Sequence, residues 1–217
     1  MLQASVRLGR ILLADDHAIL RDGLKAILKE AGFDVVGEAS DGHEAIRLGQ
    51  KLAPDVAVLD ISMPLLNGID AAQQILKASP KTRIVLLTMF AEDNYVLAGL
   101  RIGITGYVLK SRAASCLVQA LEAVRKGEIY LSPGVSRAVV NAFLSKDDTP
   151  ADPLSIRERE VLQLIAEGKN VKEVGSILMI SAKTAESHRS NIMQKLDIYE
   201  IAGLVRYAIR TGLVRID

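Results

Sequence analysis

Between residue 10 and about residue 126, short apolar runs alternate with longer stretches in which apolar positions recur every three or four residues. Short apolar runs are typical of buried strands, and the longer stretches are typical of amphipathic helices. Their regular alternation predicts an α/β domain, with a doubly wound parallel sheet of five strands and five helices. The predicted strands are 10–14, 34–39, 56–59, 83–87 and 106–109, and the last helix runs from about 113 to 126.

The pattern changes after residue 130. Residues 131–152 contain a short apolar stretch up to Phe143, which we interpret as a connecting helix, followed by a segment with two prolines and alternating charge. Such a composition is typical of a linker. We therefore divide the chain into a domain over 1–130, a linker over 131–152 and a second domain over 153–217.

The second domain shows helix starts and no strand pattern. Ser155 and Glu158 have the spacing of a capping box, Asn170 and Glu173 repeat it with asparagine, and Ser181 can cap a third helix. A fourth helix is predicted from about 200 to 211. Four helices in roughly sixty residues, with a short turn between the middle two, predict an all-α helix-turn-helix domain.

Composition restricts where the protein works and what it contacts. Although 49% of the residues are hydrophobic, no run approaches the ~18 apolar residues of a membrane span, and the N-terminus lacks the apolar centre of a secretory signal. We therefore expect a cytoplasmic protein with no membrane partner. The formal net charge is +1, and ten Lys and Arg stand against nine Asp and Glu in 151–217. Binding of nucleic acid would thus need positive charge gathered locally by the fold.

Polar residues stand at the carboxyl ends of four predicted strands, where a doubly wound sheet binds ligands. They are Asp15 and Asp16, Asp60, Thr88 and Lys110. Each alone has an ordinary explanation, such as a helix cap or a solvated lysine, but their coincidence at one edge favours a site. Three carboxylates repel one another, and Mg²⁺ would relieve that repulsion. A carboxylate beside Mg²⁺ can form an aspartyl phosphate, with Lys110 and Thr88 on the phosphoryl oxygens.

Residues 9–127 resemble the receiver domains of response regulators. The matching segments are Ala14-Asp15-Asp16-His17, Leu59-Asp60-Ile61-Ser62-Met63-Pro64 with Asn67-Gly68, Leu87-Thr88, and Gly106-Tyr107-Val108-Leu109-Lys110. The resemblance implies a flavodoxin-like sheet with strand order 2-1-3-4-5. It also implies phosphorylation of Asp60, with Mg²⁺ held by Asp15, Asp16, Asp60 and the backbone carbonyl of Ser62. Thr88 and Tyr107 resemble the switch pair, in which the ring turns inward. Many receivers have proline after the lysine, and Ser111 stands there instead, so the isomer of the 110–111 bond is left open.

The second domain resembles LuxR-type DNA-binding domains over about 153–214. The matching segments are 154–162, 180–184 and 188–196. In that family the third helix enters the major groove, so its outward residues would face phosphates and base edges. Lysine and arginine can bind phosphates, and Glu186 can accept a hydrogen bond from a cytosine amino group. Ala185 stands where the family usually has a valine that faces the core. The DNA contacts implied are Lys172, Lys183, Thr184, Glu186, Ser187, Arg189, Ser190 and Lys195.

Together the two resemblances imply a two-component response regulator. Its partners would be a sensor histidine kinase, double-stranded DNA and, when phosphorylated, a second copy of the chain. The surface over about 92–126 would carry the signal from Asp60. No enzyme activity is expected beyond the receiver's own phosphorylation and dephosphorylation.

Three other interpretations remain open. A phosphatase could use Asp60 as nucleophile, although haloacid-type phosphatases place a second aspartate where Ser62 stands. A ligand-sensing LuxR-type regulator would need a sizeable apolar pocket, and the lack of Trp with only three Phe gives it little support. A constitutive DNA binder with a vestigial receiver is the third, but every expected residue of the acidic site is present.

Overall fold

The computed structural model describes residues 9–89, 96, 99–136 and 153–214. The chain divides into two compact units, the first ending at Asp147 and the second beginning at Asp148. Most of the predicted linker, including most of the connecting helix up to Phe143, lies outside the described residues, as do residues 92–95, 97 and 98 of the surface predicted over about 92–126.

The first unit contains a parallel sheet in the order β2-β1-β3-β4-β5-β6. Its strands are β1 (Arg10–Ala14), β2 (Asp34–Ala39), β3 (Val56–Asp60), β4 (Arg83–Thr88), β5 (Gly106–Leu109) and β6 (Tyr130–Leu131). The predicted parallel α/β sheet and the order of its first five strands are confirmed. The predicted count of five strands is wrong, because β6 adds a sixth. With only two residues, β6 is too short to show an alternating pattern.

Helices cover both faces of this sheet. They are α1 (Ala18–Glu30), α2 (Gly42–Leu52), α3 (Gly68–Ala78) and α4 (Ala113–Arg125), with residues 99–101 also helical. Because side chains alternate along a strand, β1 sends Ile11 and Leu13 into the core beneath α1 and α4. Leu12 and Ala14 enter the core beneath α2 and α3. Strands buried on both faces explain the continuous apolar runs of the sequence.

Four helices make up the described part of the second unit. They are α5 (Ile156–Ala166), α6 (Val171–Ile177), α7 (Ala182–Leu196) and α8 (Ile201–Arg210). The capping boxes predicted at Ser155 and Asn170 are both present, and the Ser181 side chain accepts from the amide of Thr184 at 3.0 Å. These caps satisfy amides that the first turn of a helix leaves without partners.

The turn between α6 and α7 is tight. Met179 has a φ of 54°, a left-handed conformation at the end of α6. A Cβ added at Gly175 would lie 2.9 Å from the carbonyl oxygen of Ile180, so a larger residue would open this turn. The two helices it joins therefore meet in the helix-turn-helix geometry that the sequence predicts. None of the helices in the described ranges has the length and hydropathy needed to cross a membrane.

One close backbone approach positions the end of β3. A Cβ at Gly68 would lie 2.0 Å from the carbonyl oxygen of Asp60, so Gly68→Ala should lower the free energy of unfolding of the first unit by more than ~2 kcal/mol. Gly23 is the matched control, since it lies in a helix with open space around its Cβ position. Gly23→Ala should raise the same quantity by ~0.5–1 kcal/mol. Urea unfolding of the full chain measures both, and equal effects would contradict the close approach.

Candidate acidic site and helix-turn-helix surface

The carboxyl ends of β1, β3 and β5 bring three charged side chains together. Asp15 follows β1, Asp60 ends β3 and Lys110 follows β5. The Lys110 Nζ lies 2.8 Å from Oδ2 of Asp15 and 2.9 Å from Oδ2 of Asp60. Residues that are up to ninety-five positions apart in the chain thus meet in one ion-pair cluster, because parallel strands end at the same edge.

This cluster is buried, and its charges do not balance. Asp15 and Asp60 are fully buried, and the Lys110 side chain is 5% exposed. Among the described residues, only Lys110 and the Ser62 amide reach the carboxylate oxygens of Asp60, and only Lys110 reaches Oδ2 of Asp15. Burial raises the pKa of Asp60, and the nearby Asp15 raises it further, against the lowering effect of Lys110 and the Ser62 amide. Two carboxylates therefore share one cation, so a further positive charge bound at this cluster would be stabilised.

Asp16 and His17 complete the acidic cluster at its exposed side. The Asp16 side chain is 34% exposed, and its Oδ1 lies 2.8 Å from Nδ1 of His17. Ligand atoms of Asp15, Asp16, His17 and Asp60 all lie within 4.8 Å of one another. Opposite oxygens around Mg²⁺ are about 4.2 Å apart, twice the Mg–O distance of about 2.1 Å. The spacing of the carboxylates therefore fits a divalent cation. Ser62, whose backbone carbonyl the sequence also predicts as a ligand, is partly buried two residues after Asp60.

Sequence reasoning missed the residues that hold the loop after β1, which carries Asp15 and Asp16. The amide of Asp15 donates to the carbonyl of Ala39 at 3.1 Å, and Arg21 Nη1 on α1 donates to the carbonyl of Asp15 at 2.6 Å. Arg21 Nε also lies 3.6 Å from Oε2 of Glu38 on β2. The backbone of Asp15 is thus held by both neighbouring elements, β2 and α1. The sequence carries no signal for these contacts, since Arg21 reads as one more charged position on an amphipathic helix.

Thr88 and Tyr107 lie on β4 and β5, next to the acidic cluster. Thr88 is 4% exposed, and the Tyr107 ring is fully buried, with its hydroxyl donating to the carbonyl of Val96 at 3.1 Å. A Cβ at Gly99 would lie only 1.9 Å from that hydroxyl oxygen, so glycine supplies the space that the ring occupies. Burial raises the pKa of Tyr107 above its ordinary value. The bond between Lys110 and Ser111 is trans.

The second unit presents polar side chains along one side of α7. Lys183, Thr184, Ser187 and Ser190 are exposed there, and Lys172 is exposed on α6. On the opposite side Ala185 and Ile192 are buried, so the core-facing position predicted for Ala185 is confirmed. These four exposed residues on α7 form a strip on the N-terminal two thirds of the helix, which we name the α7 strip: Lys183, Thr184, Ser187 and Ser190.

The remaining predicted DNA contacts are engaged in ion pairs. Glu186 and Arg189 pair with each other at 2.5 Å between Oε1 and Nη2. Lys195 Nζ lies 2.7 Å from Oε2 of Glu158, a side chain that is only 6% exposed. Burial raises the pKa of Glu158, but hydrogen bonds from Lys195 and Ser155 outweigh it and hold the pKa below its ordinary value. Lys195 thus has a protein partner that its exposed sequence position does not reveal.

Comparison with known families matches both units. Residues 11–122 match the response regulator receiver domain, and residues 152–208 match the luxR family of bacterial regulatory proteins. The chain is 38% identical over 214 residues to the oxygen regulatory protein NreC of Staphylococcus carnosus. It is 39% identical over 208 residues to the transcriptional regulatory protein LiaR of Bacillus subtilis. Each alignment covers 94% of this chain and 99% of the relative.

Solved structures give the same result. RcsB of Salmonella enterica serovar Typhimurium, bound to promoter P1flhDC in the presence of phosphomimetic BeF3-, matches with a TM-score of 0.61 and 33% identity. That alignment covers 92% of this chain and 97% of RcsB. A second structure, the two-component response regulator RcsB in complex with DNA, matches with a TM-score of 0.57 at 33% identity and covers 92% and 96% of the two chains.

The charge imbalance of the acidic cluster has a consequence for pH dependence. Because the pKa of Asp60 is raised in the folded state from its ordinary 3.8, ionisation of Asp60 costs stability as the pH rises through the folded pKa. In buffer without divalent cations, Asp60→Asn should therefore be more stable than the wild type at pH 7, and the difference should vanish as the pH falls below 3.8. Urea unfolding at several pH values measures this difference. Asp22→Asn, an exposed carboxylate on α1, is the control, and a matching profile from it would contradict the assignment to Asp60.

Proposed function

Because the chain belongs to the two-component response regulators, which join a receiver domain to a LuxR-type DNA-binding domain, we propose that phosphorylation of Asp60 controls its dimerisation and DNA binding. The observation that carries this proposal is the buried cluster in which Lys110 is shared between Asp15 and Asp60. The phosphoryl group would come from a phosphohistidine of a sensor kinase.

In the proposed transfer, a carboxylate oxygen of Asp60 attacks phosphorus, and the bond from phosphorus to the donor's leaving atom breaks. No side chain of the described residues donates to Oδ1 of Asp60, so attack through that oxygen would not require Lys110 to leave Oδ2. Lys110 already lies 2.9 Å from Asp60 and would place its charge on the new phosphoryl oxygens. Mg²⁺ held by Asp15, Asp16, Asp60 and the Ser62 carbonyl would supply the charge that neutralises the remaining oxygens.

The phosphoryl group would then bias a two-state element. The Thr88 hydroxyl lies at the same sheet edge and can donate to a phosphoryl oxygen. Movement of Thr88 toward Asp60 would stabilise the inward Tyr107 ring that the structure already has, in which the hydroxyl donates to the carbonyl of Val96. A change from mostly off to mostly on needs ~5.5 kcal/mol of differential stabilisation between the two states. The inward ring would alter the surface formed by the described residues 99–101 together with β5 and α4.

DNA binding is proposed for the α7 strip, with α7 in the major groove. Lys183 and Lys172 are exposed and suit phosphates, while Thr184, Ser187 and Ser190 offer hydroxyls to phosphates or base edges. The Glu186–Arg189 pair presents an acceptor and a donor side by side on the same helix. Two copies would bind paired half-sites about one helical turn of DNA apart.

Phosphorylation of Asp60 can be measured directly. Full-length protein incubated with acetyl phosphate and Mg²⁺ should gain the mass of one phosphoryl group, and the adduct should be stable in acid and labile in alkali. Asp60→Ala should gain none, and removal of Mg²⁺ with a chelator should abolish the reaction in the wild type. Peptide mapping that places the adduct on another residue, or equal DNA affinity of wild type and Asp60→Ala with the donor, would refute the proposal.

The α7 strip makes a prediction about salt. If Lys183 contacts a phosphate, Lys183→Ala should weaken binding to all duplexes, and the slope of log affinity against log salt should become shallower by about one. Lys51→Ala removes an equally exposed lysine from α2 in the first unit and should leave the slope unchanged. Fluorescence anisotropy at several salt concentrations gives both slopes. A slope that is the same in both variants would remove Lys183 from the interface.

A further inference from the structure

The first turn of α5 contacts both helices of the helix-turn-helix. Arg157 Nη2 donates to the carbonyl of Leu178 at the end of α6 at 2.7 Å. Glu158 Oε2 accepts from Lys195 Nζ near the end of α7 at 2.7 Å. Arg157 is itself held by Glu160, at 2.6 Å between Nη1 and Oε2. One turn of α5 therefore touches the C-terminal ends of the two helices whose mutual angle defines the motif.

Glu158 is a fixed acceptor. Its carboxylate closes the capping box, with Oε2 accepting from the amide of Ser155 at 2.8 Å, and the same oxygen accepts from Lys195. The side chain is 6% exposed, so the carboxylate has little freedom to follow Lys195 if α7 tilts. A buried carboxylate that loses its cation is costly, and this cost holds Lys195 in place.

Helix α7 has few buried apolar side chains to fix its direction. Of its fifteen residues, only Ala185 and Ile192 are fully buried. Two anchors seven residues apart span about 10 Å of a helix about 22 Å long. The last turn lies beyond both anchors, and the Lys195–Glu158 pair is the charged contact that ties this turn to α5. That pair therefore adds a constraint on the tilt of α7 at the end of the helix that the two buried anchors do not reach.

The position of Lys195 argues against contact with DNA. Lys195 lies twelve residues after Lys183, which places it about 18 Å along the axis from the start of the α7 strip. Moving its ammonium to a phosphate beyond the reach of Glu158 would leave that carboxylate buried without its cation. The resemblance to LuxR-type domains implied a DNA contact at Lys195. The structure instead pairs its ammonium with Glu158, so that it links α7 to α5.

We infer that Lys195 is a positioning residue, and that its ion pair with Glu158 sets the angle at which α7 presents its exposed strip to DNA. The inference rests on the proposed DNA binding by α7. It predicts a loss of sequence discrimination, because reading base edges needs the correct helix angle, whereas non-specific attraction to phosphates tolerates a tilt.

The test compares specific and non-specific binding. A duplex selected from a random pool by wild-type protein serves as the specific probe, and a scrambled duplex serves as the other. Lys195→Met, which keeps the apolar stem, should lower specific affinity about tenfold, leave non-specific affinity within twofold, and leave the salt slope unchanged. Glu158→Gln should do the same, since glutamine retains the capping box without the charge. Lys195→Arg, which can still reach Glu158, should restore the specific affinity.

Several outcomes separate this inference from the proposed function. A salt slope that falls by about one in Lys195→Met, as expected for Lys183→Ala, would show a phosphate contact and overturn the positioning role. Equal losses on both duplexes, with a lower folded fraction by circular dichroism, would show a purely structural effect and also overturn it. Failure of the wild type to select or bind any duplex would instead defeat the proposed DNA binding.

Discussion

A single ammonium group shared by two buried carboxylates constrains the functional edge of the sheet. Burying Asp15 and Asp60 costs hydration, and Lys110 offsets that cost only for one negative charge. Burial, together with the neighbouring charge of Asp15, raises the pKa of Asp60. The site thus carries one more negative charge than positive charge. A bound cation would neutralise that excess, and a phosphoryl group on Asp60 would draw Lys110 toward its own oxygens.

Much of this edge could be predicted from the sequence because its physics is local. Apolar runs flanked by turn residues predict the strands, and polar residues directly after them must collect where parallel strands end. Helix starts were equally accessible, since the capping boxes at Ser155 and Asn170 depend on residues three apart. Strand β6 was not predictable in this way, because its two residues pair with β5 through the backbone without any pattern of their own.

Contacts between distant side chains could not be predicted. Periodicity predicts which face of a helix or strand a side chain lies on, but it does not predict which residue that side chain contacts. Lys195 and Glu158 are thirty-seven residues apart, and each looks like a solvated charge in the sequence. The same holds for Arg21, which supports the Asp15 backbone, and for Gly99, whose missing side chain makes room for the Tyr107 hydroxyl. These residues shape the two sites through packing, which only the folded arrangement specifies.

The two units use charge in opposite ways, and this difference bears on how the protein is controlled. In the first unit, one cation serves two buried anions, so a new charge at Asp60 shifts the balance of a network that is already incomplete. In the second unit, Glu158 is matched by Lys195 and Glu186 by Arg189. The first pair ties α7 to α5 and the second lies within α7, so neither pair has an unmatched charge that a change of shape could satisfy. The proposed control through dimerisation, which would alter how many copies bind paired half-sites, requires no remodelling of the recognition helix.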